Sequence, residues 1–324
     1  MKPVYGHDVA RKAILEAACS ARLHHAWILA GPQGIGKASL ARELALILLA
    51  GEEGAGSLAD THPAAHLFAA GTHPDYAELK RLEKDGGELA RNITVDQVRG
   101  LARLLSTAPS VSRRRIIVID SADDMERSAA NALLKSLEEP PRDVLFLLIS
   151  HAPSRLLPTI RSRCRIARLS PLVSADMAAA LRGADAMLAE AEIRELISLG
   201  EGAPGKALAL SGLGVSEMVD ALERIARDGD SLHKEGLALS KALSPKSARP
   251  RYEAFLELLP GFMAAQACTW RGERLSAAIV QWEQARDLAA QALSLSLDPA
   301  ATIFELCGHV AAMAEPQKDA TFFA

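Results

Sequence analysis

A glycine-rich segment that ends in a lysine carries the clearest chemistry in the sequence: Gly31-Pro32-Gln33-Gly34-Ile35-Gly36-Lys37. An apolar run at 26–30 precedes it and an Ala- and Leu-rich stretch at 38–50 follows it, which predicts a buried strand and then a helix. Backbone amides at the start of a helix can surround a phosphate, and a lysine can reach its outer oxygens. We therefore predict a nucleotide-binding loop. Its candidate binding residues are Gly31, Gly34, Gly36 and Lys37.

The residues that would bring magnesium and water to this loop are missing. A hydroxyl residue normally follows the lysine and binds the metal, whereas this sequence has Ala38. Ser39 comes one position later, where a helix turns its side chain away by about 100°. The predicted strand 116–119 ends at Asp120, which can support the metal, but Ser121 follows instead of a glutamate that would activate water. The sequence leaves open whether ATP or ADP binds beside Ala38, Ser39 and Asp120, and predicts that neither is hydrolysed.

Composition narrows the class of protein. The chain has 324 residues, 49% of them hydrophobic and 24% charged, which indicates a folded protein of two or three domains. A net charge of -3 and only 4% aromatic residues argue against binding nucleic acid by bulk charge or base stacking. The apolar stretch 44–50 is too short to cross a bilayer, and four distant cysteines form no disulfide framework. We therefore predict a soluble, cytoplasmic chain without a membrane partner.

The organisation of the chain changes near residue 172. Predicted strands lie at 26–30, 76–82, 116–119, 144–149 and 165–169. Helical patterns separate them, which favours an α/β domain with a mainly parallel sheet. Gly- and Pro-rich composition predicts a loop at 51–75, and from 174 to 314 only helical patterns occur, with a break at 211–214.

Two further motifs are more specific than the glycine-rich loop. Residues 131–141 read NALLKSLEEPP, and residues 159–164, after a predicted strand, read TIRSRC. Together they resemble the clamp-loader branch of the AAA+ ATPases, and the resemblance covers residues 1 to about 210. It implies an AAA+ α/β domain at 1–172, a helical lid at 173–212 and a helical collar at 213–324.

In that family the Ser-Arg-Cys motif supplies an arginine to the ATP site of a neighbouring motor subunit. The resemblance therefore implies that Arg163 is an arginine finger in trans, that Ser162 positions it and that Cys164 packs behind it. An arginine that neutralises the charge developing on a γ-phosphate can raise the rate by about 10³ to 10⁵. Without the resemblance, a solvated basic edge would be the favoured interpretation of Arg161, Arg163 and Arg165.

The resemblance also implies a function. Motor subunits of this branch, called gamma or tau, keep the metal-binding and water-activating residues, whereas non-motor subunits of the bacterial DNA polymerase III clamp loader have often lost them. Ala38 and Ser121 favour a non-motor, stator-like member of the ring that loads the sliding clamp onto primed DNA, without catalytic activity of its own. Its partners would be the gamma/tau and delta subunits, the clamp and the DNA. The alternatives are an autonomous gamma/tau-like ATPase and an unrelated P-loop kinase or transferase.

Several positions are less specific. Lys206, at the family's second sensor, is either a phosphate contact or a solvent-facing lysine, and Tyr5 with Gly6 resembles the segment that lines the adenine pocket. Family members often hold zinc with four cysteines after the loop helix, but residues 50–75 contain none, so no zinc is expected. The Gly and Pro residues there also argue against a helix that would bring its histidines together. Arg113–Arg115 is either a local DNA contact or an exposed turn.

Overall fold

The computed structural model describes residues 3–20, 23–51, 62–84, 89–268, 270–293 and 295–314. The chain folds into two compact units, Met1–Leu208 and Ala209–Ala324. The predicted boundary at residue 172 falls inside the first unit, and the three-part division of the chain stays a prediction.

A parallel sheet forms the centre of the first unit. Its strands are β1 (Ala26–Ala30), β2 (Tyr76–Lys80), β3 (Arg115–Asp120), β4 (Val144–Ser150) and β5 (Arg165–Arg168). They pair in the order β2-β3-β4-β1-β5, and every pair is parallel. Every residue of β1 and β4 is buried, as expected for central strands with helices on both faces. Each predicted strand is confirmed to within two residues, and so is the α/β class.

Helices cover both faces of this sheet. The helices that begin in this unit are α1 (Asp8–Cys19), α2 (Lys37–Ala50), α3 (Pro63–Ala69), α4 (Val95–Leu105), α5 (Arg127–Glu138), α6 (Pro158–Arg161), α7 (Ser174–Ala184), α8 (Glu190–Gly200) and α9 (Pro204–Leu210). The apolar sides of α1 and α2 share one core with the sheet, and those of α4, α5 and α6 share the other. Helices α7 to α9 pack around a smaller core that includes Met177, Leu181 and Ile193. The helices thereby fix the segments that follow β1, β3 and β4.

Helix α3 corrects the loop predicted for residues 51–75. Pro63 lies in its first turn, where a missing N–H costs nothing, and His62 Nδ1 accepts a backbone hydrogen bond at 3.1 Å as its cap. Phe68 packs on Tyr76 with ring centroids 4.5 Å apart, which holds the helix against the core. The prediction was wrong for residues 63–69, because this segment contains no glycine and its one proline lies in the first turn. The part of the predicted loop at 52–61 lies outside the described residues. In the described parts of the chain, no cluster of three or more His, Cys, Asp or Glu side chains could hold a metal.

A buried ion pair anchors the chain between α4 and β3. The carboxylate of Asp75 and the guanidinium of Arg115 are almost fully buried and lie 3.2 Å apart. Asp75 also accepts three backbone hydrogen bonds from residues 110–112, at 2.7 to 2.9 Å. Arg115 in turn donates to carbonyls of the preceding loop. The proposed surface roles of Arg113–Arg115 are therefore wrong for Arg115, which faces the protein interior because its carboxylate partner lies there.

The second unit is a helical assembly. Its helices are α10 (Val215–Asp228), α11 (Lys234–Leu243), α12 (Arg249–Ala267), α13 (Gly272–Ala292) and α14 (Pro299–Ala311). Fully buried side chains of α12 and α14, such as Phe255, Leu259 and Ile303, form its core. The described residues after β5 contain no strand, which confirms the helical prediction. Among the described helices, none is long and apolar enough to cross a membrane.

Candidate functional site

The glycine-rich loop lies where β1 ends and α2 begins. Gly34 and Gly36 have positive φ angles of 79° and 99°, which glycine adopts without strain. The Gly34 carbonyl accepts a hydrogen bond from the Gly205 N–H at 2.8 Å, so the start of α9 lies directly on the loop. A Cβ atom on Gly34 would come within 2.8 Å of the Lys206 backbone nitrogen. The loop is therefore closed on one side by the start of α9.

A cavity of about 420 Å³ lies beside this loop. Its lining includes Lys37, Ala38, Ser39, Asp120, His151 and Gly205. The structure thus brings together the candidate residues that the sequence takes from the loop and from the end of β3. Gly31 is the exception, because it packs under the loop, where a Cβ atom would meet the Leu169 carbonyl at 2.5 Å.

Lys37 is turned inward against its own loop. Its side chain is almost completely buried, and Nζ donates hydrogen bonds to the carbonyls of Gly31 and Pro32, at 2.7 and 2.5 Å. Burial lowers the pKa of Lys37 to about 8, although Asp123 and Asp120 partly oppose the shift. An incoming phosphate would have to compete with two carbonyl groups for this amine.

The position that binds magnesium in active P-loop enzymes is altered here. Ala38 offers a methyl group where a hydroxyl would bind the metal, and Asp120 Oδ2 lies 3.4 Å from Arg42 Nη2. Arg42 is itself held by Glu78, with Nε to Oε2 at 3.1 Å. Burial raises the pKa of Asp120, and the Arg42 charge opposes that shift. A protein cation therefore already accompanies the carboxylate that would support the metal.

A hydrogen-bond network joins the ends of β3 and β4, and the sequence analysis did not find it. Asp123 accepts hydrogen bonds from the hydroxyls of Ser121 at 2.9 Å and Ser150 at 2.8 Å, and from the His151 N–H. Burial raises the pKa of Asp123, but these three bonds outweigh it and hold the pKa below its usual value. The pKa of the His151 ring is lowered by its burial and by the Lys37 charge. The order of parallel strands, whose carboxyl ends meet at one edge, could have revealed the network.

A second cavity, of about 210 Å³, lies on the side of the loop that faces α7 and α9. Tyr5, Ile35, Leu172 and Leu208 give it an apolar lining that suits a base, in keeping with the adenine-pocket resemblance of Tyr5. Lys206 forms an ion pair with Glu201, with Nζ 2.9 Å from Oε2. A phosphate contact by Lys206 stays a prediction.

Arg163 lies at the end of the sheet where the strands begin, opposite the end that carries the glycine-rich loop. Strand β5 begins at Arg165 opposite Trp27 of β1 and runs parallel to it, while the glycine-rich loop starts only after β1 has ended. The four paired residues between these points span roughly 13 Å at the rise of a β-strand. Arg163 therefore lies far from the cavity of its own chain, beyond the reach of its side chain.

The guanidinium of Arg163 is ordered by groups of its own chain. Nη2 lies 2.9 Å from Glu138 Oε1, and Nη1 donates to the Thr159 carbonyl at 3.0 Å and to the Ser162 hydroxyl at 3.3 Å. The side chain nevertheless stays 35% exposed. Cys164 follows it and packs against the core between α5 and the sheet, and burial raises the pKa of its thiol to about 12. The arrangement can present a positive charge to another molecule, with an unreactive cysteine behind it.

The comparisons with known proteins agree with these motifs. A family model described as DNA polymerase III, delta subunit, matches residues 6–173, which is more than half of the chain. The chain belongs to this family. The curated relatives include DNA polymerase III subunit delta-prime of Pseudomonas aeruginosa, 44% identical over 197 residues, and of Escherichia coli, 33% identical over 189 residues. The predicted resemblance to the clamp-loader family is therefore confirmed, and these relatives are its delta-prime subunits. The non-motor role stays a prediction.

These matches cover part of each delta-prime protein. They extend over 60% of this chain and 57% of the Pseudomonas relative, and over 58% and 55% for the Escherichia relative, so the chain spans little more than half the length of the curated relatives it matches. A gamma subunit of Buchnera aphidicola is 32% identical over 54% of this chain and 46% of its own length. Among solved structures, a gamma subunit-related protein of Thermotoga maritima has a TM-score of 0.46 at 18% identity, covering 93% of this chain and 98% of its own.

Proposed function

We propose that this delta-prime family member is a stator-like subunit of the DNA polymerase III clamp loader. It supplies Arg163 in trans to the ATP site of a neighbouring motor subunit and does not hydrolyse ATP itself. Its partners are the gamma/tau and delta subunits in the cytoplasm, and the ring they form places the sliding clamp on primed DNA. Family membership and the Ser-Arg-Cys motif support this assignment.

One observation carries the proposal: the partly exposed Arg163 lies at the end of the sheet where the strands begin, whereas the chain's own candidate nucleotide cavity lies where they end. A finger must reach the γ-phosphate that it neutralises, and this arginine cannot reach the cavity of its own chain. The γ-phosphate that Arg163 neutralises therefore belongs to an ATP bound by a neighbouring subunit. This placement supports action in trans.

The chain's own cavity supports the second half of the proposal. Metal-assisted hydrolysis needs a hydroxyl ligand for magnesium and a group that activates water. Ala38 removes the first, Ser121 replaces the second, and Arg42 accompanies Asp120. The two cavities beside the loop would accommodate phosphates and a base, so any ATP or ADP would be held without turnover.

The isolated chain is expected to show no magnesium-dependent ATP turnover above the buffer blank. The variant Ala38→Thr is expected to stay inactive, because Ser121 still cannot activate water. Phosphate release measured with the isolated motor subunit of the same organism as a positive control checks both results.

A gamma subunit is also similar to this chain, over 54% of its length, and this similarity favours an autonomous ATPase as the alternative. Turnover by the isolated chain that disappears in Lys37→Ala would establish that alternative and reject the stator assignment. The lysine variant separates turnover in this cavity from a contaminating ATPase, which the variant would not affect.

A further inference from the structure

Glu138 occupies a position that the function proposed above does not yet explain. It is the last residue of α5, and its carboxylate lies 2.9 Å from Nη2 of Arg163. The adjacent Glu139 carries the same charge and is also exposed, but the ion pair at Arg163 is made by Glu138. The chain thus places one particular carboxylate against its proposed finger.

Both members of this pair stand on rigid supports. Leu137, the neighbour of Glu138, is 1% exposed, and Ile160 of α6 is 0% exposed, both within the core that α5 and α6 share. Pro140 and Pro141 follow the two glutamates directly and prevent α5 from continuing. The carboxylate and the arginine backbone are therefore each held within a few bonds of the packed interior.

The contacts of the guanidinium come from two directions. Thr159 and Ser162, on its own turn, hold Nη1, while Glu138 holds Nη2 from a different helix. The contacts from its own turn restrain one end of the planar group, and a charge-assisted contact at the other end restrains its rotation. Because 35% of the side chain stays exposed, this restraint leaves the arginine accessible to a phosphate.

We propose that Glu138 is a positioning residue for Arg163. It holds the Arg163 guanidinium in one orientation, so that the side chain does not have to change rotamer to contact the neighbouring γ-phosphate. This inference rests on the trans role proposed for Arg163. An arginine side chain loses substantial rotamer entropy when it is fixed. Because Glu138 already fixes Arg163 in the folded chain, this entropy is not lost again when the transition state forms.

The test uses the complete ring, assembled from this chain with the gamma/tau and delta subunits of the same organism, on primed DNA with the clamp. Glu138→Gln is expected to lower kcat for ATP about tenfold and to leave KM unchanged, because the neighbour's own loop binds the nucleotide. Glu138→Asp, which keeps the charge on a shorter stem, should fall between wild type and Glu138→Gln. Glu139→Gln is the matched control and should behave as wild type.

The double variant Arg163→Ala with Glu138→Gln separates positioning from a general structural effect. If Glu138 acts through the arginine, Glu138→Gln causes no further loss once Arg163 is gone. Three results would overturn the positioning role. The first is a Glu138→Gln ring that hydrolyses ATP at the wild-type rate or faster, and the second is a Glu139→Gln ring that is equally slow. The third is a double variant that is slower than Arg163→Ala. If Arg163→Ala itself runs at full rate, the proposed function falls together with this inference, whereas a slow Arg163→Ala with an unaffected Glu138→Gln removes only the inference.

Discussion

Arg163→Ala is expected to lower ATP turnover about 10³-fold at the site that receives the finger, with the ring still assembled. The removed guanidinium would otherwise neutralise the charge that develops on the γ-phosphate, and an alanine offers no substitute. Assembly should survive because Arg163 is a half-exposed side chain whose contacts within its own chain are one ion pair and two hydrogen bonds. Single-turnover ATP hydrolysis and clamp loading by the complete ring measure the effect.

Two further substitutions sharpen this result. Arg161→Ala removes an arginine two residues away and should leave the rate unchanged. Arg163→Lys keeps the charge but loses the planar, two-pronged donor, so it should recover only part of the rate. Full-rate turnover in Arg163→Ala, or an equal loss in Arg161→Ala, would mean that the basic segment contributes general charge and that no finger is present.

Asp75→Asn is expected to destabilise the first unit by about 3 to 5 kcal/mol. The substitution leaves the buried Arg115 charge without its carboxylate. It also replaces one of the two oxygens that accept the N–H bonds from residues 110–112 by an NH₂ group, which accepts none. Urea unfolding monitored by Trp27 fluorescence, in a background where Trp270 and Trp282 are phenylalanine, reports on the first unit alone. Glu16→Gln, in an exposed pair with Lys12, is the matched control and should cost less than about 0.5 kcal/mol.

The stability difference between wild type and Asp75→Asn should depend on pH. Burial raises the pKa of Asp75, but the backbone N–H groups and Arg115 outweigh it and hold the pKa below its usual value. The folded carboxyl therefore releases its proton more readily than the unfolded one, so its contribution is complete above the unfolded pKa and is lost as the pH falls through the folded pKa. The stability difference between wild type and Asp75→Asn should be constant near neutral pH and shrink below about pH 4. A difference that grows on acidification would contradict the assigned ion pair.

The sequence predicted the central sheet well because its signals are local. The apolar run Ile116–Ile119 is buried along its whole length, which no amphipathic helix would require. Thr94 caps α4 and Gln97 completes a capping box, as the residue types allowed. The glycines of the phosphate loop also indicate positions where the backbone adopts positive φ angles, as it does at Gly34 and Gly36. Elements that depend on neighbours in sequence were thus accessible without coordinates.

Features that depend on distant partners were not accessible in this way. Arg115 follows the exposed Arg113 and the half-buried Arg114, and its pairing with Asp75, 40 residues earlier, accompanies its place in the interior. Glu138 and Glu139 are indistinguishable by type and spacing, and the fold alone decides which one reaches Arg163. The role of Asp123 also required the order of β3 and β4 in the sheet. Charged pairs across a sheet or between helices give no periodic signal, so sequence patterns could not predict them.

The most direct test of the account is a structure of the complete ring on primed DNA with a γ-phosphate transition-state analogue. We expect the Arg163 guanidinium within hydrogen-bond distance, about 3 Å, of the analogue in the neighbouring subunit. We also expect that the cavity beside Lys37 contains no magnesium-bound analogue. An Arg163 that stays on its own surface away from every phosphate, or a magnesium-bound analogue beside Lys37, would contradict the central claim that this chain supplies catalytic charge to its neighbour and hydrolyses nothing itself.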